Sequence, residues 1–562
     1  MTHDHDYHPD RMLPRWADPA VAEQGLNVQE VSRRRLLRGA GLFGAGFLAS
    51  AAFGGEALAA TAERESAAVG GPSSRYAYLV GDHHVHSRYS HDAKYDLLQQ
   101  TGRAEQFGLD WMVLTEHSNI GHASPGGARE QHEEIRGIRE ACPRLLVFQG
   151  LEWYIPAAEH ATVMSAPGRH EVDLLTQFEL AHDGKLNKRD ASTSENEQAA
   201  VDAIRWLARQ RRLGIVPDVL LFANHPSRLG IDSPHELRAW RDAAPEIFIG
   251  MEGAPGAQAA AIATNSGAGS VRGEYENAPS AKSWPGYPLE SYRTLGGFDW
   301  MSATVGGMWD SLLAEGKPFW ITSNSDNHRT VCDTWRDGDF PPGTDFDQLG
   351  HKPSPTDTGV PQHGSDFWPG QFSRTHVGVT RFGYRQVMDG LRAGRVWVDH
   401  GHLIDDIDVR LRRDGFDPHG VTLGQRLRVR RGRQVSLDVT ITPASRHNSN
   451  GDLPRLATLD VIRGTVIGPG TDRDSWCAPD TRVVDHIDVS HRRGTFTLHI
   501  PLGRVDEPFY VRLRGSDGKS NAPGPFGPAV DAHAPQPHSP GEGNPWNDLW
   551  LYTNPIFVDV TH

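Results

Sequence analysis

The sequence has little cysteine, no excess of positive charge and, beyond its first sixty positions, no long apolar run. Its 562 residues include three cysteines, Cys142, Cys332 and Cys477, and none of them forms a CxxC pair. This usage argues against both a disulfide framework and cysteine ligation of a metal. A formal net charge of −14, with no basic face, argues against nucleic acid as a partner. Any metal would have to be bound by histidine and carboxylate side chains.

The N-terminus has the pattern of an export signal. A basic stretch, Ser32-Arg33-Arg34-Arg35-Leu36-Leu37, precedes a Gly/Ala-rich apolar run at 39–53, and Ala57-Leu58-Ala59 fits a small-x-small cleavage site. The segment resembles a twin-arginine signal. A short membrane anchor or a buried helix is the alternative, although the run is short for a membrane span. We therefore predict a signal peptide at 1–59, a linker at 60–74 and an extracellular or periplasmic protein without stable membrane insertion.

Between residues 75 and 402, short apolar runs alternate with amphipathic segments. The predicted strands are 76–82, 111–116, 145–151, 160–165, 219–224, 247–252, 319–323 and 396–399. The predicted helices are 95–107, 127–141, 195–212, 233–243, 301–315 and 384–393. This alternation predicts an α/β domain with a parallel sheet covered on both faces, or a barrel. Residues 329–375, rich in Pro, Gly and Asp, are predicted to be an insertion.

After residue 402 the periodicity changes from helical to extended. Segments such as 407–411, 435–439, 496–500 and 509–513 alternate apolar and polar residues with period two. Residues 403–562 are therefore predicted to form a β-rich, sandwich-like C-terminal domain.

Metal-ligand residue types occur where predicted strands end or begin. They are His84 and His86, His117, Glu152, His160, His225, and Asp326 with His328. In a parallel barrel the carboxyl ends of all strands open on one face, where catalytic residues collect. Burying so many ionisable groups without partners would be very costly, whereas cations make it favourable. The pattern predicts a polynuclear metal site.

At this point the sequence resembles a known family. The ordered motifs Asp82-His83-His84-Val85-His86-Ser87, Thr115-Glu116-His117, Gly150-Leu151-Glu152, Asn224-His225-Pro226 and Ser325-Asp326-Asn327-His328 resemble those of the PHP (polymerase and histidinol phosphatase) superfamily. The leader, the insertions and the β-rich tail are most similar to its carbaryl-hydrolase-like metallohydrolases. The resemblance implies a distorted (β/α)7 TIM-like barrel with two or three metal ions at the strand ends.

Carried over by position, the resemblance assigns ligands to three ions. The first ion would take His84, His86, Glu152 and Asp326; the second Glu152, His160 and His225; the third Asp92, His117 and His328. His91 is an alternative to Asp92. Glu116 and Asp82 are expected to support the ligands, and His83 either packs beneath the site or contacts substrate. Nitrogen and oxygen ligands suit Zn²⁺, Mn²⁺ or Fe²⁺.

Such a site predicts a hydrolase that acts on a small-molecule substrate. Metal-bound hydroxide would attack a phosphoester, with Glu152 and Asp326 as the central catalytic carboxylates. Candidates for assisting the leaving group are His122, Arg374 and His376. Hydrolysis of a carbamate, ester or amide on the same centre is the alternative, and the few basic residues near the motifs slightly favour it. A non-catalytic extracellular binding protein with structural metals is the alternative outside enzymes.

Overall fold

The computed structural model describes residues 76–118, 127–262, 271–275, 278–331, 333–362, 364–413, 420–539 and 543–561. The predicted leader and linker, Cys332 and His122 lie outside the described residues. Among the helices of the described ranges, none is both long and apolar enough to cross a bilayer.

Strands and helices alternate through the first part of the chain. The strands are β1 (Ala77–Val85), β2 (Trp111–His117), β3 (Leu146–Tyr154), β4 (His160–Ser165), β5 (Val219–Ala223), β6 (Phe248–Ala254), β7 (Thr294–Leu295), β8 (Phe298–Asp299), β9 (Trp320–Ser323), β10 (Asp333–Arg336), β11 (Thr356–Gln362), β12 (Ser373–Val379) and β13 (Val396–His400). The helices are α1 (Leu97–Gln106), α2 (Ala128–Ala141), α3 (Glu171–His182), α4 (Ser194–Arg212), α5 (Pro234–Ala243), α6 (Trp300–Ala303), α7 (Met308–Ala314), α8 (Phe346–Leu349) and α9 (Tyr384–Arg392).

Local sequence explains where several helices begin. Ser233 caps α5 by accepting a hydrogen bond from the Glu236 backbone, the Glu236 side chain bonds back to Ser233, and Pro234 occupies the first turn.

The helix predicted at 301–315 is instead two short helices, α6 and α7. Gly306, with a φ of +80°, lies in the break between them.

The central sheet runs in the order β13-β12-β1-β2-β3-β4-β5-β6-β9. The pairs β1–β2, β2–β3, β5–β6 and β6–β9 are parallel, whereas β4 runs antiparallel between β3 and β5. Strands β2 to β6 are buried along their whole length. Continuous burial explains why their sequences are almost uninterrupted apolar runs.

The predicted closed barrel is not confirmed. β9 approaches β12 without a backbone ladder in the described chain, so the sheet stays open there. Side chains join the two strands: the Ser323 amide donates to Thr375 Oγ1 at 2.8 Å, and that hydroxyl donates back to the Ser323 carbonyl at 2.6 Å. β9 has only four residues, and side chains bond its outer backbone groups: Thr375 of β12 bonds Ser323, and Asn554 bonds Ile321.

The predicted insertion, 329–375, contains regular structure. β10 and β11 form an antiparallel hairpin. The end of the insertion belongs to β12, which pairs antiparallel with β1. The sequence analysis missed β12 because the preceding Pro/Gly-rich segment hides its short alternating pattern.

The remainder of the chain is β-structure. Its strands are β14 (Ile404–Arg413), β15 (Arg426–Arg430), β16 (Gln434–Pro443), β17 (Thr458–Thr465), β18 (Arg482–Asp488), β19 (Phe496–Arg504), β20 (Phe509–Ser516), β21 (Trp550–Thr553) and β22 (Ile556–Thr561). β14, β16 and β19 form one sheet, and its apolar side shares a core with the sheet containing β15, β17, β20 and β22. This second sheet is continuous with the central sheet, because β21 pairs antiparallel with β13.

Candidate metal centre

The strand ends bring the predicted ligands to one edge of the central sheet. His117, the last residue of β2, lies opposite Glu152 of β3. Because β4 is antiparallel, its first residue, His160, lies at the same edge, opposite Tyr154. His225 follows β5 by two residues, and the Asp326 segment follows β9.

Three overlapping groups of side chains are close enough to hold metal ions. They are His84, His86 and Glu152; Glu152, His160 and His225; and His86, His117 and His328. Within each group the potential ligand atoms lie within 4.8 Å of one another. The second predicted group recurs in full, and the first and third recur without Asp326 and Asp92, while His86 also reaches the third group.

Glu152 is the centre of this arrangement. Its Oε1 lies 2.8 Å from His160 Nδ1, 3.2 Å from His225 Nε2 and 3.3 Å from His84 Nε2. Its Oε2 lies 2.8 Å from His117 Nδ1 and 3.3 Å from His86 Nε2. A carboxylate with both oxygens among five imidazoles is placed to bridge cations.

Hydrogen bonds assign the tautomers of the first two histidines. His84 Nδ1 lies 2.7 Å from a carboxylate oxygen of Glu252, to which it must donate. The Ser90 hydroxyl donates to Glu116 at 2.6 Å, so it accepts from His86 Nδ1 at 3.0 Å. Neutral rings held in this way direct the Nε2 lone pairs of both histidines into the site.

Those two Nε2 atoms lie only 3.0 Å apart. Asp326 Oδ1 is 3.0 Å from the first and 3.2 Å from the second, and it is buried without a hydrogen bond in the described structure. Lone pairs and a carboxylate oxygen so close together repel one another unless a cation lies between them. This set of nitrogen and oxygen donors fits a divalent Zn, Mn or Fe ion.

The electrostatics of the site also favour a bound cation. Burial alone would lower the pKa of His84, but the carboxylates of Asp326, Glu152 and Glu252 outweigh it and raise that pKa well above its ordinary value. Groups that stabilise positive charge on a buried imidazole stabilise a metal cation for the same reason.

The third group opens toward solvent. His117 Nε2 lies 3.2 Å from His328 Nε2 and 3.3 Å from Asp92 Oδ2. The side chain of Asp92 is 36% exposed and lines the cleft described below, which His91 does not. The position therefore favours Asp92 over His91.

Supporting residues lie where the sequence analysis expects them. Asp82 accepts hydrogen bonds from the His84 and Ser325 amides, which joins the end of β1 to the segment after β9. Glu116 accepts from Gln131 and from the hydroxyl that fixes His86. His83 is fully buried, bonded to Thr322 at 2.7 Å, and packs beneath the site.

Two of the predicted ligands have unusual backbone conformations. His225 and Asp326 adopt positive φ angles of 29° and 43°. Residues other than glycine adopt such angles at a cost and keep them only where the surroundings hold them. The His225 amide donates to Glu252 at 2.6 Å, which helps to hold this turn. The fold thus contributes to the orientation of both ligands.

Glu252 is a site residue that the sequence analysis missed. It lies in β6, is fully buried, and bonds both His84 and the His225 amide. The signal was available, since Glu252 ends a predicted strand in the same way as Glu152 does. Tyr275 was also missed; its hydroxyl donates to Asp326.

An open cleft with a cavity volume of about 570 Å³ lies over this centre. Its lining includes the second group of ligands, and His117 and His328 of the third together with Asp92. Side chains such as Tyr154 and Ile231 also line it, with three basic residues, Lys185, Arg228 and Lys282. Lys185 and Lys282 are far from the motifs in sequence and only the fold brings them to the cleft, whereas Arg228 lies three residues after His225 and was overlooked.

Arg374 and His376 do not line this cleft, so the structure does not place them where they were predicted to assist the leaving group. They alternate on β12 with Thr375, which faces β9, so they point to the opposite face of the sheet. There His376 bonds Asp399 at 2.9 Å and stacks on Trp397. Burial, opposed by Asp399, lowers the pKa of His376.

Comparisons with known proteins give little beyond this geometry. No protein-family model and no curated protein matches the chain. A crystal structure of a two-domain protein from Bacteroides vulgatus, described as containing a predicted PHP-like metal-dependent phosphoesterase, is 14% identical, with a TM-score of 0.30. The match covers 83% of this chain and 96% of that one. At this level of similarity, the function rests on the site itself.

Proposed function

We propose that this protein is a metal-dependent hydrolase of the PHP type that cleaves a phosphoester. The observation that carries the proposal is the overlap of three ligand groups, two of which share Glu152, at the base of a cleft with basic walls. A structural metal site holds an ion whose coordination positions are all filled by protein ligands, whereas these groups overlap and the third is open to the cleft. Divalent cations supply Lewis acidity, which activates water and polarises a scissile phosphoester bond.

The chain's own residues would prepare this chemistry. Glu252 and Ser90 fix the histidine rings so that Nε2 faces inward, and such supporting contacts commonly tune metal affinity. Glu152 and Asp326 balance the positive charge of the cations. Asp92 and His328, the more exposed of the predicted ligands, line the same cleft.

The basic side chains favour a phosphoester over a carbamate, ester or amide. Lys185, Arg228 and Lys282 line the same cleft as the ligands. A neutral carbamate gains little from three cations, whereas a phosphoester is attracted by them.

We propose further that the protein is exported through the twin-arginine signal at its N-terminus. The support is the Arg-rich, apolar and small-residue pattern within residues 1–59. N-terminal sequencing of the secreted protein tests it: a start near residue 60 is expected, and an intact N-terminus would contradict it.

Hydrolysis assays test the proposed activity. Zn²⁺- and Mn²⁺-loaded protein is incubated with p-nitrophenyl phosphate, bis-p-nitrophenyl phosphate and 1-naphthyl N-methylcarbamate. We expect hydrolysis of at least one phosphoester. Cleavage of the carbamate alone would favour a carbamate, ester or amide hydrolase. Stoichiometric metal without activity on any of the three would favour a binding protein.

A further inference from the structure

One cation of the cleft walls, Lys185, has no carboxylate within ion-pair distance among the described residues. The two others are paired: Arg228 Nη1 lies 3.2 Å from Glu159 Oε2, and Lys282 Nζ lies 2.8 Å from Asp190 Oδ2. The positive charge of Lys185 is therefore available to a bound ligand.

Lys185 lies close to the candidate metal centre without touching it. Its Nζ is 3.7 Å from the centre of the Tyr154 ring, and that ring is 3.9 Å from the ring of His160. One aromatic ring therefore separates the ammonium group from a predicted ligand. Burial lowers the pKa of Lys185; Arg228 and Lys282 add to this effect, and Glu159 and Asp183 oppose it, so the three cations share one region with these two carboxylates.

The loop that carries Lys185 is held firmly in place. The Gly184 amide donates to the Tyr154 carbonyl at 2.8 Å, and Asp183 accepts from the Ser118 hydroxyl at 2.6 Å. These bonds tie the loop to the ends of β2 and β3, close to His117 and Glu152. The distance from the ammonium group to the metal centre is thus set by the fold.

The cleft is also larger than the scissile group requires. A volume of about 570 Å³ is in the range of pockets that enclose a whole organic molecule, not a single phosphate. A substrate with its scissile phosphate at Glu152 would place its alcohol part between Tyr154, Tyr275 and the basic wall.

We propose that Lys185, with Arg228 and Lys282 beside it, binds a second anionic group, phosphate or carboxylate, on the alcohol part of the substrate. This inference rests on the proposed phosphoesterase activity. It narrows the substrate class to phosphoesters with a second acidic group. Lys185 would then determine specificity, and the reacting bond would lie at the metal centre.

Three matched substrates test the inference. Pentane-1,5-diol monophosphate, pentane-1,5-diol bisphosphate and 5-(phosphonooxy)pentanoate differ only at the end remote from the scissile phosphate, which is hydroxyl, phosphate or carboxylate. Phosphate release by the metal-loaded full chain gives kcat/KM for each. We expect the protein to prefer one or both doubly anionic substrates, and the preferred one identifies the group bound.

Two variants test whether Lys185 causes the preference for substrates with a second anionic group. Lys185→Gln should reduce the ratio of kcat/KM for the preferred substrate to kcat/KM for pentane-1,5-diol monophosphate by about tenfold. The reduction should come mainly from a higher KM for the preferred substrate. Lys188→Gln makes the same charge change at an exposed residue outside the cleft and should leave the ratio unchanged. An equal ratio in wild type and Lys185→Gln would overturn the inference while the proposed activity stands. No phosphate release from any of the three substrates would overturn the inference, and the proposed activity would fall with it only if both nitrophenyl phosphates were also left intact.

Discussion

Replacing Glu152 by glutamine tests the core of the proposed centre. The change keeps the size of the side chain and removes one negative charge that lies within 3.3 Å of ring nitrogens from five histidines. One unit charge at about 4 Å is worth about 4 kcal/mol at an effective dielectric constant of about 20. That energy corresponds to a loss of roughly a thousandfold in affinity for a bridged cation.

The assay combines metal content with turnover. Wild type and Glu152→Gln are dialysed against the same low concentration of free metal, and bound metal is counted by mass spectrometry. The variant should lose at least one ion per chain, and its kcat/KM should fall by about the same thousandfold factor. Glu195→Gln, at a side chain that is 84% exposed, is the matched control. A folded Glu152→Gln protein with full metal content and full activity would refute the bridging role.

Three further changes test other parts of the structure. Glu252→Gln should weaken metal binding by about 10- to 100-fold, because a supporting carboxylate is lost; unchanged affinity in a metal titration would contradict its role. His376→Gln should keep kcat/KM within about threefold of wild type, since the side chain lies outside the cleft. A loss near a hundredfold, the scale of lost general acid catalysis, would instead indicate that His376 takes part in the reaction. Asp310→Ala should cost about 3–5 kcal/mol in urea unfolding, because it leaves Arg512 buried without its carboxylate.

The protonation of Glu134 gives a prediction about pH. Burial raises the pKa of Glu134 from 4.5 to about 7, so folding favours its protonated form. That contribution to stability is fully present below pH 4.5 and is lost as the pH rises through 7. Glu134→Gln should therefore gain stability relative to wild type between pH 5 and pH 8, as measured by thermal unfolding. The same difference in stability between variant and wild type at pH 5 and at pH 8 would contradict this prediction.

The ligand positions were accessible from the sequence because each depends on a local rule. A buried strand is a short apolar run, and the residue that ends it lies at the edge of the sheet. This rule placed His117, Glu152 and His225 correctly, and applied to the strand at 247–252 it would also have found Glu252. His160 lies at the same edge although it begins a strand, because β4 runs antiparallel to its neighbours.

Features that depend on distant contacts were not accessible in the same way. Lys185 and Lys282 lie in loops with no periodicity, and only the fold brings them to Arg228, which is in a short 3-10 helix after His225. The sequence shows that Arg374 and His376 have suitable chemistry, but the face of β12 on which they lie depends on its pairing with β1. The open edge between β9 and β12 is bridged by side-chain bonds, which no strand pattern records.

The pairing of β21 with β13 joins the C-terminal β-structure to the part of the chain that carries the candidate metal centre. Asn554, just after β21, donates to the Ile321 carbonyl of β9 and accepts from the Ile321 amide at 2.9 Å. A chain ending at His402 would lose these bonds and expose the buried edge of β13, a ready template for intermolecular strand pairing. Attempts to produce the metal-binding half alone should therefore yield aggregates, and activity should require the last ten residues of the protein as much as the first strand.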